Sequence, residues 1–424
     1  MSAMGALGKL QGFCAIACRR GYSWAWSDTC CIDKHSSAEV QETIGSMFAW
    51  YRQSALTIVY LSDVPDTGSV GSSEWFRRGW TLQELLAPRT VLFYTQNWSL
   101  YKNLTSANHK KDATVLAELA RATGIEPQFL YNFSPGKDNA RSRLQWASSR
   151  LTTRPEDIAY SLFGIFNVHL PVLYGESAEN ALGRLLTEIV SQSGDISVLD
   201  WVGEPSPFHS CFPAHITSYQ RLSTPPPRLS AEERSSATSE GLPSFEVLSL
   251  RDLPGSPTVR SVQLRTPDSN VLGDVHDIHS PARVPLARFF GRLLALPCIP
   301  YQVTAIQLKG ADLSTPNYTY NIQASGLAPL DIALSVKLED VTRTQGVLYL
   351  VRPWHSKLLG PFAELDAVTD RQLVSALWAP FNALLLSQLR YNEYKRIASS
   401  TLITAHSMGR ASILNSEIRV FNIV

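Results

Sequence analysis

LTIVYLSDVPDTGSVGSSEWFRRGWTLQELLAPRTVLFY occupies residues 56–94 and determines how the N-terminal part of the chain folds. Residues 56–61 are a β-branched apolar run, which is typical of a buried strand. Residues 80–86 follow a Gly- and Ser-rich loop and predict a short helix that ends before Pro88. Residues 90–94 predict a second strand. This order of strand, helix and strand favours a parallel sheet with helices on its faces.

The residues before this unit continue the same alternation. Residues 10–20 predict a helix that ends at Gly21, and residues 22–27 predict a strand. Ser36 followed three positions later by Glu39 is a capping box, in which each side chain bonds a free backbone N–H of the first helical turn. The sequence therefore predicts an α/β domain at the N-terminus.

Acidic residues follow the predicted strands. Asp28, Asp33 and Asp63 come at strand ends, and Glu84 lies on the next helix. In parallel sheets, ligands usually bind at the carboxyl ends of the strands. Two other interpretations stay open at this point. Asp28 and Asp33 are also suited to capping a turn, and Glu84 is also suited to pairing with the nearby arginines.

The rest of the chain divides by composition. The α/β core covers residues 1–105, and residues 106–200 predict its helical remainder. Residues 201–244 predict a loop or linker, because consecutive prolines and small polar residues do not pack. Residues 245–424 contain short alternating runs and predict a β-rich C-terminal domain, interrupted by a helix over residues 371–389.

Composition and charge exclude several classes of protein. The 424 residues are 44% hydrophobic, and 38 Lys and Arg against 37 Asp and Glu leave a net charge of +1. A nucleic-acid binder or a protein held at an anionic membrane needs a basic field, so neither is expected. No apolar run reaches the roughly 20 residues of a membrane helix. The six cysteines fit no zinc pattern and no disulfide scaffold, which indicates reduced thiols, no metal site and a cytoplasmic location.

Motifs of the common nucleotide-binding and hydrolytic enzymes are missing. The chain has no phosphate-binding G-x-x-x-x-G-K-[ST] and no H-E-x-x-H. Residues 405–409, AHSMG, are similar to the nucleophile turn of α/β-hydrolases, but no Asp or His follows Ser407 to complete a triad. We therefore do not expect a serine hydrolase.

Three blocks of sequence resemble the fungal heterokaryon incompatibility (HET) domain, and together they extend from residue 10 to about residue 190. The first block is DTCCIDK (28–34), SSAE (36–39) and MFAWY (47–51); the second is YLSDV (60–64) and WFRRGWTLQELLAP (75–88); the third is WAS (146–148), TTRPEDIAYSL (152–162), GIF (164–166) and LYGE (173–176). The residues after 200 resemble, more loosely, the C-terminal halves of basidiomycete-type members.

The resemblance implies a role in vegetative incompatibility. HET domains trigger growth arrest or cell death when genetically different hyphae fuse, so the resemblance implies an allorecognition protein that acts by self-association or by binding a protein partner. It also implies a flavodoxin-like sheet of the kind that Toll/interleukin-1 receptor (TIR) domains have. Family members usually begin with a strand ahead of the first helix, whereas nine residues precede Leu10 here. We therefore expect a sheet that is incomplete at its N-terminus.

The likeness to TIR domains also implies a possible reaction. Some TIR domains cleave NAD with a glutamate in a W-C-L-x-E-L context, which is similar to residues 80–85, WTLQEL. By this resemblance Glu84 is the catalytic carboxylate, because a carboxylate stabilises the positive charge that develops on the ribose. Asp28 and Asp63 then shape the rim, and Trp80 supplies an apolar wall. NAD would be the substrate, with no resident cofactor. The alternative is an inactive, truncated relative.

Overall fold

The computed structural model describes most of the N-terminal half and a large part of the C-terminal half. The described residues are 3–103, 106–221, 246–247, 251–252, 260–265, 286–312, 317–338, 347–354, 377–389, 393–408 and 417–424. The chain forms two compact units, Met1–Leu185 and Leu186–Val424. The boundary between them falls inside one helix.

The first unit is mainly helical around a small sheet. Its helices are α1 (Ala3–Arg19), α2 (Ser37–Gln53), α3 (Thr81–Leu86), α4 (Ala113–Thr123), α5 (Pro127–Tyr131), α6 (Ala140–Ala147), α7 (Asp157–Tyr160) and α8 (Phe163–Phe166), and its strands are β1 (Thr57–Tyr60) and β2 (Val91–Tyr94). The helix α9 (Ala178–Ser193) begins in the first unit and ends in the second. The helix start that the capping box predicts is confirmed: the Glu39 N–H donates to Ser36 Oγ at 3.3 Å. The Glu39 carboxylate accepts from the Asp33 N–H at 2.9 Å.

The strand, helix and strand predicted from residues 56–94 are confirmed. β1 and β2 pair in parallel, with Thr57 opposite Val91 and Tyr60 opposite Tyr94, and α3 lies between them in the chain. The side chains of β2 are all buried, as expected for a strand that is covered on both faces. The coarse α/β class is therefore correct, and the flavodoxin-like arrangement stays a prediction.

The strand predicted for residues 22–27 is wrong. These residues have no strand assignment and lie in an irregular segment, with Trp24 92% exposed. The segment alternates large aromatic and small residues as a strand does, but among the described residues it pairs with no other strand. A strand forms only when its backbone groups find a partner, which the local pattern cannot guarantee.

The second unit is built on one large, mostly antiparallel sheet, as the β-rich prediction required. Its described strands are β3 (Glu246–Val247), β4 (Arg251–Asp252), β5 (Arg260–Arg265), β6 (Arg288–Phe290), β7 (Leu293–Asp312), β8 (Asn317–Ala324), β9 (Leu330–Leu334), β10 (Leu348–Pro353), β11 (Phe381–Gln388), β12 (Glu393–Ile397), β13 (Ile403–Ala405) and β14 (Glu417–Ile423). Tyr320, Leu350 and Leu385 are fully buried in its core.

Two predictions in this half need correction. The helix expected over residues 371–389 is wrong from residue 381 onward, because β11 occupies residues 381–388 and pairs with β10, whereas residues 377–378 are helical. Residues 371–376 lie outside the described residues. Residues 201–221, expected in a linker, instead contribute Trp201, Phe212 and Tyr219 as buried side chains. The wider division into four regions stays a prediction.

No helix in the described part of the chain is both long and apolar enough to cross a membrane.

Candidate functional site

A cavity of about 1030 Å³ opens in the first unit beside β1. Its walls come from α1, from residues 22–31, from the end of α2, from β1 and from the segment that leads into α3. Five tryptophans line it, and so do four charged side chains: Trp24, Trp26, Trp50, Trp75 and Trp98, with Lys9, Asp28, Arg78 and Glu84. A concave, mainly aromatic pocket with a few convergent charged groups is the usual form of a small-molecule or peptide site.

Glu84 is the acidic residue of α3 that reaches this cavity. The other inner positions of the helix, Leu82 and Leu85 among them, are fully buried, so the helix is held firmly. The pKa of the Glu84 carboxyl is raised to about 7, mainly by burial and to a smaller extent by the negative charge of Asp28. The positive charge of Arg78 and the indole N–H of Trp75, which donates to the carboxylate, oppose this shift only in part.

Arg150 holds the start of α3 in place from the buried side. Its Nη1 donates to Thr81 Oγ1 at 2.9 Å and to the Arg78 carbonyl at 3.0 Å, and its Nε donates to the Trp146 carbonyl at 3.2 Å. Burial lowers the pKa of this guanidinium to about 10, and the charge of Glu84 partly offsets that effect. The orientation of Glu84 therefore depends on a residue 66 positions away, which no local motif indicates.

Asp28 and Glu84 both line the cavity. Asp28 lies exposed on the cavity wall, and its negative charge raises the pKa values of both Glu84 and Tyr51. Burial is the main reason that the pKa of the Tyr51 hydroxyl rises well above its ordinary value, and the two carboxylates raise it further. Asp33 has the capping role that the sequence also allowed, because its Oδ1 accepts from the His35 N–H at 2.9 Å.

Asp63 does not line the cavity, which corrects the rim position predicted for it. Its carboxylate accepts from Ser73 Oγ at 2.6 Å and from the Glu74 N–H at 2.7 Å. It thereby caps the short 3-10 helix Glu74–Arg77 that carries Trp75 into the cavity. Asp63 acts on the site only by positioning that turn.

Trp80 is also absent from the cavity wall, so the stacking wall predicted for it is wrong. Its indole N–H donates to Asp157 Oδ2 at 3.2 Å, and this partner is 77 positions away in the chain. Trp75 takes the place expected of Trp80 beside Glu84. The ion pair with Arg77 is not formed either, since Arg77 pairs with Glu74 at 3.0 Å on the surface.

Several residues of the site were not singled out from the sequence. Lys9, Trp24, Trp26, Tyr51 and Trp75 all line the cavity. The density of tryptophan between residues 24 and 98 was a usable signal, because tryptophan is costly to place on a surface without a partner.

Replacing Glu84 by glutamine is expected to stabilise the protein at high pH. The folded-state pKa near 7 lies above the ordinary 4.5, so the folded wild type binds this proton more tightly than the unfolded chain does. Wild-type stability therefore falls as the pH rises from about 4.5 through 7, whereas glutamine has no charge to bury. The gain in free energy of unfolding should be about 2–3 kcal/mol larger at pH 8 than at pH 5.

Urea unfolding at both pH values measures this gain. Glu74→Gln is the matched control, because Glu74 is exposed and lies outside the cavity. An unfolding free energy with the same pH dependence in wild type and Glu84→Gln would contradict a raised pKa at Glu84.

Comparison with known proteins identifies the region around this cavity. Residues 8–71 match the family model described as heterokaryon incompatibility protein (HET). Residues 8–71 are therefore similar to a HET domain. The match to the HET family model covers most of α1, the irregular segment, α2 and β1, which form four of the five parts of the cavity wall.

A curated relative agrees with this assignment. The chain is 41% identical over 203 residues to the vegetative incompatibility protein HET-E-1 of Podospora anserina. The alignment covers 44% of this chain and 14% of that protein, so this chain spans about a seventh of its relative's length. No solved structure matches.

Proposed function

We propose that this chain takes part in heterokaryon incompatibility, acting in the cytoplasm by self-association or by binding a protein partner. The observation that carries the proposal is the 203-residue match, at 41% identity, to a protein named for vegetative incompatibility. The match of residues 8–71 to the HET family model supports it. A net charge of +1 gives no reason to expect nucleic acid as the partner.

Expression in yeast tests this role. The wild-type chain is expected to slow or arrest growth, and a chain that acts by association is expected to keep this effect when Glu84 is replaced by alanine. Glu74→Ala serves as the control for expression, because it removes an exposed carboxylate from the same segment. Normal growth with the wild-type chain, at verified protein levels, would count against an effector and favour an inactive, truncated relative.

A second candidate function is cleavage of NAD, and the surroundings of Glu84 favour it. A partly covered carboxylate stands in an aromatic cavity beside a tryptophan N–H and a second carboxylate. In this reaction the bond between nicotinamide and ribose breaks, water adds to the ribose carbon, and ADP-ribose, nicotinamide and a proton are released. The role of Glu84 would be to stabilise the positive charge on the ribose, and the aromatic walls would limit access of bulk water.

NAD turnover by the purified chain tests the second candidate. Glu84 acts here as a carboxylate, so turnover is expected to rise as the pH passes upward through about 7, where the group ionises. Glu84→Gln is expected to lower turnover at least about 100-fold, while Glu74→Gln leaves it unchanged. Equal turnover in wild type and Glu84→Gln would eliminate Glu84 as the catalytic group.

A further inference from the structure

The two outer edges of the small sheet in the first unit differ in whether their backbone groups are hydrogen-bonded. The backbone N–H groups of Val91 and Phe93 point away from β1, and side chains satisfy both: Asn108 Oδ1 accepts from Val91 at 3.2 Å and His109 Nδ1 accepts from Phe93 at 3.0 Å. Burial lowers the pKa of His109 to about 4, which keeps its ring neutral and able to accept. The outer edge of β2 is thus closed by buried side chains.

The outer edge of β1 has no such closure. The Thr57 N–H donates to the Thr90 carbonyl at 3.0 Å and the Leu61 N–H donates to the Tyr94 carbonyl at 2.8 Å, so the odd-numbered residues of β1 face β2. Because bonding alternates along a strand, the N–H and C=O groups of Ile58 and Tyr60 face the other way. Among the described residues, no strand or side chain bonds these outward groups.

This free edge lies on the cavity. Residues 56–60 all line it consecutively, which requires that the cavity follows the strand along its length. The other walls of the cavity include apolar and aromatic side chains, among them Leu10 and Phe13 from α1 and Trp26 from the irregular segment. Backbone N–H and C=O groups that lie next to apolar walls without hydrogen-bond partners destabilise the folded protein. This cost is removed when another backbone supplies the matching donors and acceptors.

We propose that the free edge of β1 binds an extended segment of a partner polypeptide, which adds a third strand to the sheet inside the cavity. An alternating row of N–H and C=O groups is matched by another backbone in extended conformation. The two outward residues, Ile58 and Tyr60, bond a partner segment of about four to six residues. The aromatic walls select apolar side chains at alternate positions of that segment. The free edge of β1 would be the site at which the proposed association takes place. The biological role of this binding rests on the proposed function, whereas the binding itself does not.

A labelled peptide tests the proposal on the full-length chain. The probe is Val-Leu-Phe-Tyr flanked by lysines, because the sequence of β2, Val91–Tyr94, already pairs with β1. Fluorescence anisotropy should show saturable binding of the probe. A second peptide with the same side chains, N-methylated at every residue, should bind at least tenfold more weakly, since it has no N–H groups to donate. Absence of binding, or equal binding of both peptides, would overturn the proposal.

Amide hydrogen exchange locates the probe. Binding should protect the amides of Ile58 and Tyr60 and leave those of Thr57 and Val59 unchanged, because the latter already face β2. If the amides of Ile58 and Tyr60 are protected in the dilute free protein, a segment of the same chain fills the edge. Protection that grows with protein concentration assigns the edge to a second copy. Either result would show that the edge is occupied by this protein itself and not by a partner polypeptide, and would refute the proposal.

A pair of proline variants completes the test. Proline removes one backbone N–H, and strands tolerate it only where that N–H faces outward. Ile58→Pro is expected to keep the fold, measured by circular dichroism, and to lower peptide affinity at least tenfold. Val59→Pro, which removes an N–H directed at β2, is expected to unfold the unit. Folded Ile58→Pro that binds the probe as tightly as wild type would contradict the proposed edge. The growth assay and the peptide-binding assay are independent. A chain that does not slow growth can still bind the peptide, and a chain that slows growth can fail to bind it.

Discussion

Replacement of Arg396 by methionine is expected to lower the free energy of unfolding of the second unit by about 3–5 kcal/mol, because each buried carbonyl that loses its donor costs about 1–3 kcal/mol. Arg396 projects from β12 into the core and is 5% exposed. Its Nη1 donates to the Leu199 carbonyl at 2.8 Å, and its Nη2 donates to the Trp201 carbonyl at 3.2 Å. Methionine retains most of the volume but donates no hydrogen bond, so these buried carbonyls lose their donors.

The guanidinium also stacks on an aromatic ring. Its central carbon lies 4.0 Å from the ring centre of Trp201, whose own N–H donates to the Cys211 carbonyl at 2.7 Å. This arrangement fastens residues 199–211 to the sheet. Arg396→Lys is expected to recover less than half of the loss, because an ammonium group lacks the planar fork that reaches separate acceptors.

Urea unfolding of the full chain, followed by tryptophan fluorescence, measures the effect of Arg396→Met. Lys395→Met is the matched control, because the neighbouring side chain on β12 is exposed, and its cost should stay below about 0.5 kcal/mol. A loss under 1 kcal/mol in Arg396→Met would show that the guanidinium does not hold this segment.

Replacement of Gly164 by alanine is expected to destabilise the first unit by about 3 kcal/mol. A Cβ atom at Gly164 on α8 would overlap the Cβ atom of Phe48 on α2. A Cβ atom cannot rotate away from such a contact, so the two helices must separate and the packing of Phe48, which is 7% exposed, is lost. The glycine is required by this close approach of two helices.

Gly45→Ala provides the matched control on α2. Gly45 is exposed, and an added Cβ meets no atom within 4 Å. Because alanine favours the helix, this change is expected to stabilise the protein by about 0.5–1 kcal/mol. Thermal unfolding of both variants by circular dichroism makes the comparison. A Gly164→Ala protein as stable as wild type would mean that α2 and α8 are not in close contact.

The site could be predicted from the sequence only in part. Glu84 precedes β2, whose position the apolar pattern revealed, and it lines the cavity. Asp28 lines the cavity as well, although the strand predicted before it does not form. Trp80 and Trp75 are both tryptophans near α3, and nothing local distinguishes them. Their roles depend on two distant carboxylates. Asp157 accepts a hydrogen bond from the Trp80 N–H, and Asp63 caps the turn that carries Trp75.

The sequence by itself determined the identity of local elements: the parallel strands β1 and β2, the capped start of α2, the short helix α3 and the β-rich second half. Spacing of apolar residues and capping side chains encodes these features, and both act over a few residues. Tertiary structure alone decided that residues 22–27 form no strand and that Arg150 and Arg396 are buried anchors. It also decided that the outer edge of β1, which lies on a cavity, is unpaired within the part of the chain that the structure describes. These outcomes depend on whether distant groups meet to satisfy one another's hydrogen bonds, which local spacing does not record.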